Sequence, residues 1–310
     1  MNDIKAFVSD SPTDEKIAEG WDIILYNRIS CFDDWETTKE KMNCKVVMDI
    51  DDDWKLPESH IAFNEYSDME SRILNNLHNA DLVTTTNEKL ANKIYPINKN
   101  VKIFNNALPY GLDQFTDEKI ESDEIRIFWC GSVTHEKDIR ILYYPFQRLM
   151  NHKGIRMMLG GYNSSNQASL NIWNRMLKSF TYDLKLPFQV INATDPMSYM
   201  GMYNYADISV IPLESGTWHS YKSNLKVLES ATKRIPCIVS KVLPYYNDTD
   251  APVLWVENQS DWYKHLKFLI KNKNAREDYG QKIYEWAKER YNFDSINADR
   301  KATFEGLINS

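Results

Sequence analysis

At 310 residues the chain exceeds one ordinary domain and suits two, and its 43% hydrophobic content lets each half bury its own core. A net charge of −7, with a pI near 5.5, weighs against a general nucleic-acid or membrane-surface binder, which needs a basic surplus, but leaves room for a local basic groove. Cys31, Cys44, Cys130 and Cys237 are widely spaced with no CxxC pair, so reduced thiols are expected rather than a zinc site or a disulfide framework. The opening MNDIKAFVSD lacks the basic start and apolar core of a signal peptide. No apolar run reaches the roughly 18 residues of a membrane helix, and a cytoplasmic protein is expected. The excess of Lys over Arg and the abundant Asn suggest an AT-rich bacterial or phage genome.

Short apolar runs alternate with helical patterns, which predicts parallel α/β architecture. In the first half strands are expected at Lys5–Val8, Trp21–Tyr26, Lys45–Ile50, Ala80–Thr84 and Val101–Phe104. Met69, Ile73 and Leu77 form a helical stripe, preceded by Ser67 with Glu70 as a capping box; Thr85 with Glu88 repeats that signature before Leu90 and Ile94. The polar stretch Gly111–Asp123 reads as a linker. The rhythm then restarts, with strands at Ile125–Trp129, Ile155–Leu159, Phe188–Ile191, Ile208–Ile211, Cys237–Val239 and Val253–Val256. Helices are expected after Lys137, over Met197–Tyr205, Ser223–Lys233 and Trp262–Ile270, and last with Tyr279, Ile283 and Trp286 on one face. This divides the chain into an N-terminal Rossmann-like domain (1–115), a C-terminal one (124–285) and a terminal helix (286–310) packing back on the first.

Two loops carry the chemistry. The first is Lys222-Ser-Asn-Leu-Lys-Val-Leu-Glu229, after the strand Ile208–Ile211. Ser223 reads as an N-cap, and Leu225, Leu228 and Ala231 give the helix an apolar stripe. Its free amides would face the crevice outside the strand ends, where an anion is favoured, with Lys222 and Lys226 adding charge. Glu229 is set back far enough to reach ribose hydroxyls; the alternative is a solvated helix with Glu229 paired to Lys226 or Lys233. The second loop, Cys130–Asp138, holds Gly131 for a tight turn and places His135 and Lys137 towards the same crevice.

The order of these segments resembles the retaining glycosyltransferases of the GT-B fold, in particular family 4. The matching pieces are Asp49-Ile-Asp-Asp-Asp-Trp54, Ala80–Thr84, Asn106-Ala-Leu with Asp113 and Phe115, Gly131–Lys137, Ala206–Pro212, and Glu229 followed by Ile235–Ser240. The resemblance implies two Rossmann-like domains facing each other across a cleft. It also implies a nucleotide-sugar donor, a UDP-sugar first, in the C-terminal one. The base would lie near Asn192 and Ala193, the ribose on Glu229, and the diphosphate over Lys137 and the amides of Asn224, Leu225 and Lys226.

Of the family's glutamate pair, the second matches Glu229 while the first position holds Tyr221. Its diphosphate Arg falls at Ser132 and its helix-start glycine at Asn224, a residue that tolerates unusual backbone angles. Catalysis is then expected to be electrostatic, from Lys137, His135 and Lys226.

Asp51, Asp52 and Asp53 can be read as a DxD metal motif or as an acidic strand end lining the acceptor side together with His60. The second reading suits a GT-B chain, so no metal or other cofactor is expected; His219 is a further candidate contact. The acceptor would be a glycan, a lipid-linked sugar or a small molecule, and a hydroxymethylated DNA base is an alternative. A non-catalytic nucleotide-sugar binding protein is a rival reading, and an epimerase is a third for which no carboxylate and histidine bases are found.

Overall fold

The computed structural model describes residues 5–8, 19–28, 39, 43–58, 60, 63, 68–165, 167–178 and 187–310. Its contacts divide the chain into two units, Met1–Asn105 with Asn297–Ser310, and Asn106–Ile296.

The first unit is built on β1 (Ile23–Asn27), β2 (Lys45–Ile50), β3 (Leu82–Thr85) and β4 (Val101–Ile103), all parallel and adjacent in that order. Consecutive Val46, Val47 and Met48 are all fully buried, the mark of a parallel strand covered on both faces. Helix α1 (Met69–Asn79) buries Ile73 and Leu77. Its N-cap is Asp68, without a side-chain cap bond; the expected Ser67 lies outside the described residues. Helix α2 (Glu88–Ile94) is capped not by Thr85, which ends β3, but by Asn87, whose Oδ1 accepts from the Leu90 amide at 2.9 Å. The expected strand at Lys5–Val8 does not form: these residues are exposed, and Phe7 stacks on Trp21 instead. The end of the chain joins this unit through the Phe104–Phe304 ring contact and the Lys102–Asp299 ion pair.

The second unit is a six-stranded parallel sheet of β5 (Ile125–Cys130), β6 (Ile155–Tyr162), β7 (Phe188–Asn192), β8 (Ile208–Ile211), β9 (Cys237–Ser240) and β10 (Leu254–Val256), in the order β10-β9-β8-β5-β6-β7. The chain starts in the middle, winds outward one way through β6 and β7, then returns to β8 and winds the other way. That is the Rossmann strand order, and it puts a topological switch point between β5 and β8.

Helices α3 (Glu136–Arg140), α4 (Tyr143–Gln147), α5 (Gln167–Lys178), α6 (Leu225–Thr232), α7 (Gln259–Lys271) and α8 (Lys273–Arg290) follow, and α9 (Phe293–Ile308) ends the chain. The expected helix over Met197–Tyr205 is a 3-10 helix from Tyr199 to Tyr205. Trp129, Trp173 and Trp262 anchor the core on one side of the sheet, with Ile139, Phe146 and Leu266.

The segment expected to be a linker is seated on this unit. Lys233 Nζ donates to the Gln114 carbonyl at 2.9 Å, the Ile120 amide donates to that of Asn204 at 2.9 Å, and Arg234 pairs with Asp117 at 2.8 Å. Just before this segment Leu108 is buried with Ile211, Leu213 and Val239, and Tyr110 Oη donates to the Leu228 carbonyl at 3.0 Å. The described cysteines, Cys44, Cys130 and Cys237, are free. Among the described residues no helix is long and apolar enough to cross a membrane.

Candidate active site

Open parallel sheets bind ligands outside the carboxyl ends of their strands at the switch point. Here those ends are Cys130-Gly131 after β5 and Ile211-Pro212 after β8. A small cavity of about 10 Å³, room for a single water, lies between them, lined by Cys130, Tyr203, Ser209, Pro212 and Lys226 among others. Glycine opens the approach. Gly161, at the register irregularity near the end of β6, has φ +92°, and a Cβ there would stand 2.6 Å from the Gly131 carbonyl oxygen; a Cβ on Gly131 would strike the Trp129 indole at 2.7 Å.

The loop after β5 brings His135 and Asp138 into this region. His135 Nδ1 lies 2.7 Å from Asp138 Oδ2, and the other carboxylate oxygen accepts from the Glu214 amide of the β8 loop at 2.8 Å. Asp138 is 1% exposed. One buried carboxylate therefore ties together the two loops that flank the switch point. Burial, reinforced by the charge of Lys226, pushes the His135 imidazole down to about 4, so it is neutral near pH 7. Burial alone would raise Asp138, but the His135 hydrogen bond and charge outweigh it and hold the carboxyl below its ordinary value.

The loop after β8 brings the cations. Lys226, in the first turn of α6, is half-buried, and its ammonium forms no ion pair among the described residues. Burial lowers its pKa, while the carboxylates of Asp138 and Glu229 nearby oppose the shift. Lys222 sits over the Trp218 ring, 4.2 Å from its centroid. Lys137 is exposed on α3, and its charge reaches His219, whose pKa is lowered mainly by burial. Cys130 is pushed up to about 12 by burial and by Glu229, so it remains a thiol.

Glu229 is buried with both oxygens engaged. Tyr203 Oη donates to Oε2 at 2.6 Å and Tyr199 Oη to Oε1 at 3.0 Å. Burial raises its pKa and the two tyrosine bonds oppose the rise. Neither alternative partner from the sequence pairs with it: no ion pair to Lys226 forms, and Lys233 is spent on Gln114.

The helix start differs from its sequence reading. Helix α6 begins at Leu225 with Asn224, not Ser223, at the N-cap and with no side-chain cap bond. Ser223 Oγ instead accepts from Asn106 Nδ2 at 2.8 Å. Asn224 has an ordinary φ of −86°, and its side chain donates to Asp248 at 2.7 Å and to Tyr291 at 2.6 Å. The Leu225 and Lys226 amides are thus left without a cap among the described residues, while the Val227 amide donates to the Asn224 carbonyl at 2.9 Å.

The structure therefore brings together Gly131, His135, Lys222, Leu225, Lys226 and Glu229, with Lys137 at the rim. Tyr221 is half-buried at the end of a 3-10 turn. Ser132 is exposed and caps the turn before α3. Asn192 and Ala193 are exposed at the end of β7, an edge strand two positions from β5, roughly 10 Å away at ordinary strand spacing.

The acidic run belongs to the first unit. Arg28 pairs with Asp51 at 3.1 Å and Asp52 at 3.2 Å, and buried Asp53 pairs with Lys93, which lies over Trp54. His60 there donates its amide to the Pro57 carbonyl. Among the described residues no three His, Cys, Asp or Glu side chains converge as metal ligands. Asp138, Glu214, Tyr199 and Tyr203 escape the sequence reading. The four-residue spacing of the two tyrosines is visible in the sequence, but nothing local ties them to a glutamate beyond the next strand.

No family model and no curated protein sequence matches the chain. Solved structures do. Sucrose-phosphate synthase from Thermosynechococcus elongatus is similar over 93% of this chain and 74% of its own, with a TM-score of 0.69 at 13% identity. A glycosyltransferase from Rickettsia africae is similar over 97% and 84%, with a TM-score of 0.64 at 14% identity. HepE from Anabaena, solved in complex with UDP-glucose, is similar over 92% and 79%, with a TM-score of 0.63 at 11% identity. With its two parallel-sheet α/β units, the chain has the GT-B fold of two Rossmann-like domains.

Proposed function

We propose that this protein is a glycosyltransferase that binds a nucleotide-sugar, a UDP-sugar first, at the switch point of its second unit. From there it moves the sugar to a glycan, a lipid-linked sugar or a small molecule, with retention of configuration as the family resemblance implies. The observation that carries the reading is the Lys226 ammonium, half-buried without an ion pair beside uncapped helix amides at the carboxyl end of a Rossmann-order sheet. A desolvated cation at a helix start favours an anion. A departing nucleoside diphosphate fits that demand.

In this reading the chain's work is electrostatic. Lys226, Lys222 and the first-turn amides of α6 receive the diphosphate, with Lys137 at the rim, and stabilise the charge that develops as the glycosidic bond breaks. Asp51, Asp52 and Asp53 are already matched to Arg28 and Lys93, so the reading assigns the leaving-group charge to lysines and gives no role to a resident metal. The test is a thermal-shift screen with UDP-, GDP-, ADP- and CDP-sugars, since a ligand of the native state raises the melting temperature by mass action. A rise with UDP-sugars is expected, followed by transfer or hydrolysis of the donor; a flat response to all four refutes the reading.

A further inference from the structure

His135 is the one imidazole whose ring is clamped by a buried carboxylate in this region. Asp138 Oδ2 takes Nδ1 at 2.7 Å, and Asp138 is itself held from the other side by the Glu214 amide at 2.8 Å, so it cannot swing away without breaking the join between two loops. An ionised carboxylate only accepts, so Nδ1 carries the proton, and Nε2 of the neutral ring is left with a lone pair. Nε2 makes no hydrogen bond among the described residues. The Cδ2 atom beside it lies 3.4 Å from where a Gly131 Cβ would stand, over the strand end that has no side chain. The groups facing the ring are Lys226 and Lys222 from the β8 side and Asp138 from its own helix.

This arrangement suits an acceptor, not a phosphate ligand. A phosphate oxygen has no proton to give, so a lone pair aimed at it repels. Two lysines already supply the positive charge. A hydroxyl group does have a proton to give.

We propose that Asp138 is a positioning residue that locks His135 as the Nδ1–H tautomer, so that Nε2 accepts a hydrogen bond from a hydroxyl of the bound nucleotide-sugar. His135 then selects a hydroxyl-bearing donor, and the lysines hold its diphosphate. The inference rests on the donor site proposed above.

The test has two readouts. Nitrogen-15 NMR of the imidazole at pH 7 should show His135 with a protonated Nδ1 and a lone pair on Nε2. In Asp138→Asn, whose amide can donate to Nδ1, the tautomer should reverse. Wild-type His135 with its proton on Nε2, or doubly protonated, overturns the assignment without any donor present.

The second readout is binding. His135→Phe should weaken UDP-glucose about tenfold, the worth of one buried hydrogen bond, while inorganic pyrophosphate stays within about twofold. His135→Gln, whose Oε1 can accept, should recover part of the loss. UDP-glucose and UDP compared in both variants separate a sugar hydroxyl, lost only with UDP-glucose, from a ribose hydroxyl, lost with both. Equal losses for pyrophosphate and UDP-glucose place His135 on the phosphate and overturn the proposal. A wild-type protein that binds no nucleotide-sugar refutes the donor reading and the hydroxyl assignment together, while the tautomer stands or falls on the NMR alone.

Discussion

Replacing His135 with glutamine should flatten the acid side of the stability curve. In the folded chain burial pushes this imidazole to about 4 from an ordinary 6.5. Between those values the unfolded chain binds a proton that the folded chain does not. The stabilisation is therefore full above about pH 6.5 and is lost as pH falls through about 4. A depression of about 2.5 units corresponds to about 3 kcal/mol, and the side chain is only 15% exposed, so little of it is screened by solvent. Glutamine keeps a donor for Asp138 and does not titrate. Urea unfolding of both proteins at pH 7.5 and 4.5 isolates the effect, because every other carboxylate and histidine is common to the two. The wild type should lose about 2–3 kcal/mol more than the variant across that interval. Parallel losses would show that the ring is solvated or charged, and would remove the buried-dyad geometry from the account.

Tyr203→Phe leaves one oxygen of buried Glu229 without its donor and should cost about 1–3 kcal/mol, read as a lower melting temperature; Tyr199→Phe, at a half-buried site, should cost less. Gly161→Ala forces a side chain into a left-handed backbone position and onto the Gly131 carbonyl, so a loss of at least about 2 kcal/mol is expected, along with weaker donor binding. Lys93→Met leaves the buried Asp53 carboxylate unmatched. A loss of about 2–3 kcal/mol in the first unit should be recovered in part by adding Asp53→Asn.

The strands are legible because a parallel strand covered on both faces reads as a near-continuous apolar run. Val46–Val47–Met48 is one, and Ile208–Ile211 is interrupted only by Ser209, whose buried hydroxyl accepts from that of Ser230. Lys5–Val8 looks similar but finds no neighbour in either sheet. Helix α5 escapes notice because Ile172, Trp173 and Met176 are scattered among Gln, Asn and Ser, and its face is defined only by the Trp129 and Tyr162 rings that meet it.

The position of the candidate site is legible too, since a loop after β5 and a helix start after β8 must meet at a switch point. Its wiring is not. Ser223 has the chemistry of an N-cap, but its hydroxyl is taken by Asn106, 117 positions away in the chain. Asp138 ends the loop from which only His135 and Lys137 are expected to face the crevice, and the fold shows that it turns inward to His135 and Glu214. Glu229 is conspicuous in the sequence, but the tyrosines that hold it come from the segment before β8. Local pattern shows where a side chain starts, and long-range packing decides what it touches.

The central claim is that the switch point of the second unit grips a nucleotide-sugar through Lys226. Titration calorimetry of UDP-glucose into the wild type and Lys226→Met, with circular dichroism to show that both are folded, tests it directly. The account predicts saturable binding to the wild type and at least tenfold weaker binding to the variant. Absence of binding to the wild type, or equal affinity for both proteins, would contradict it.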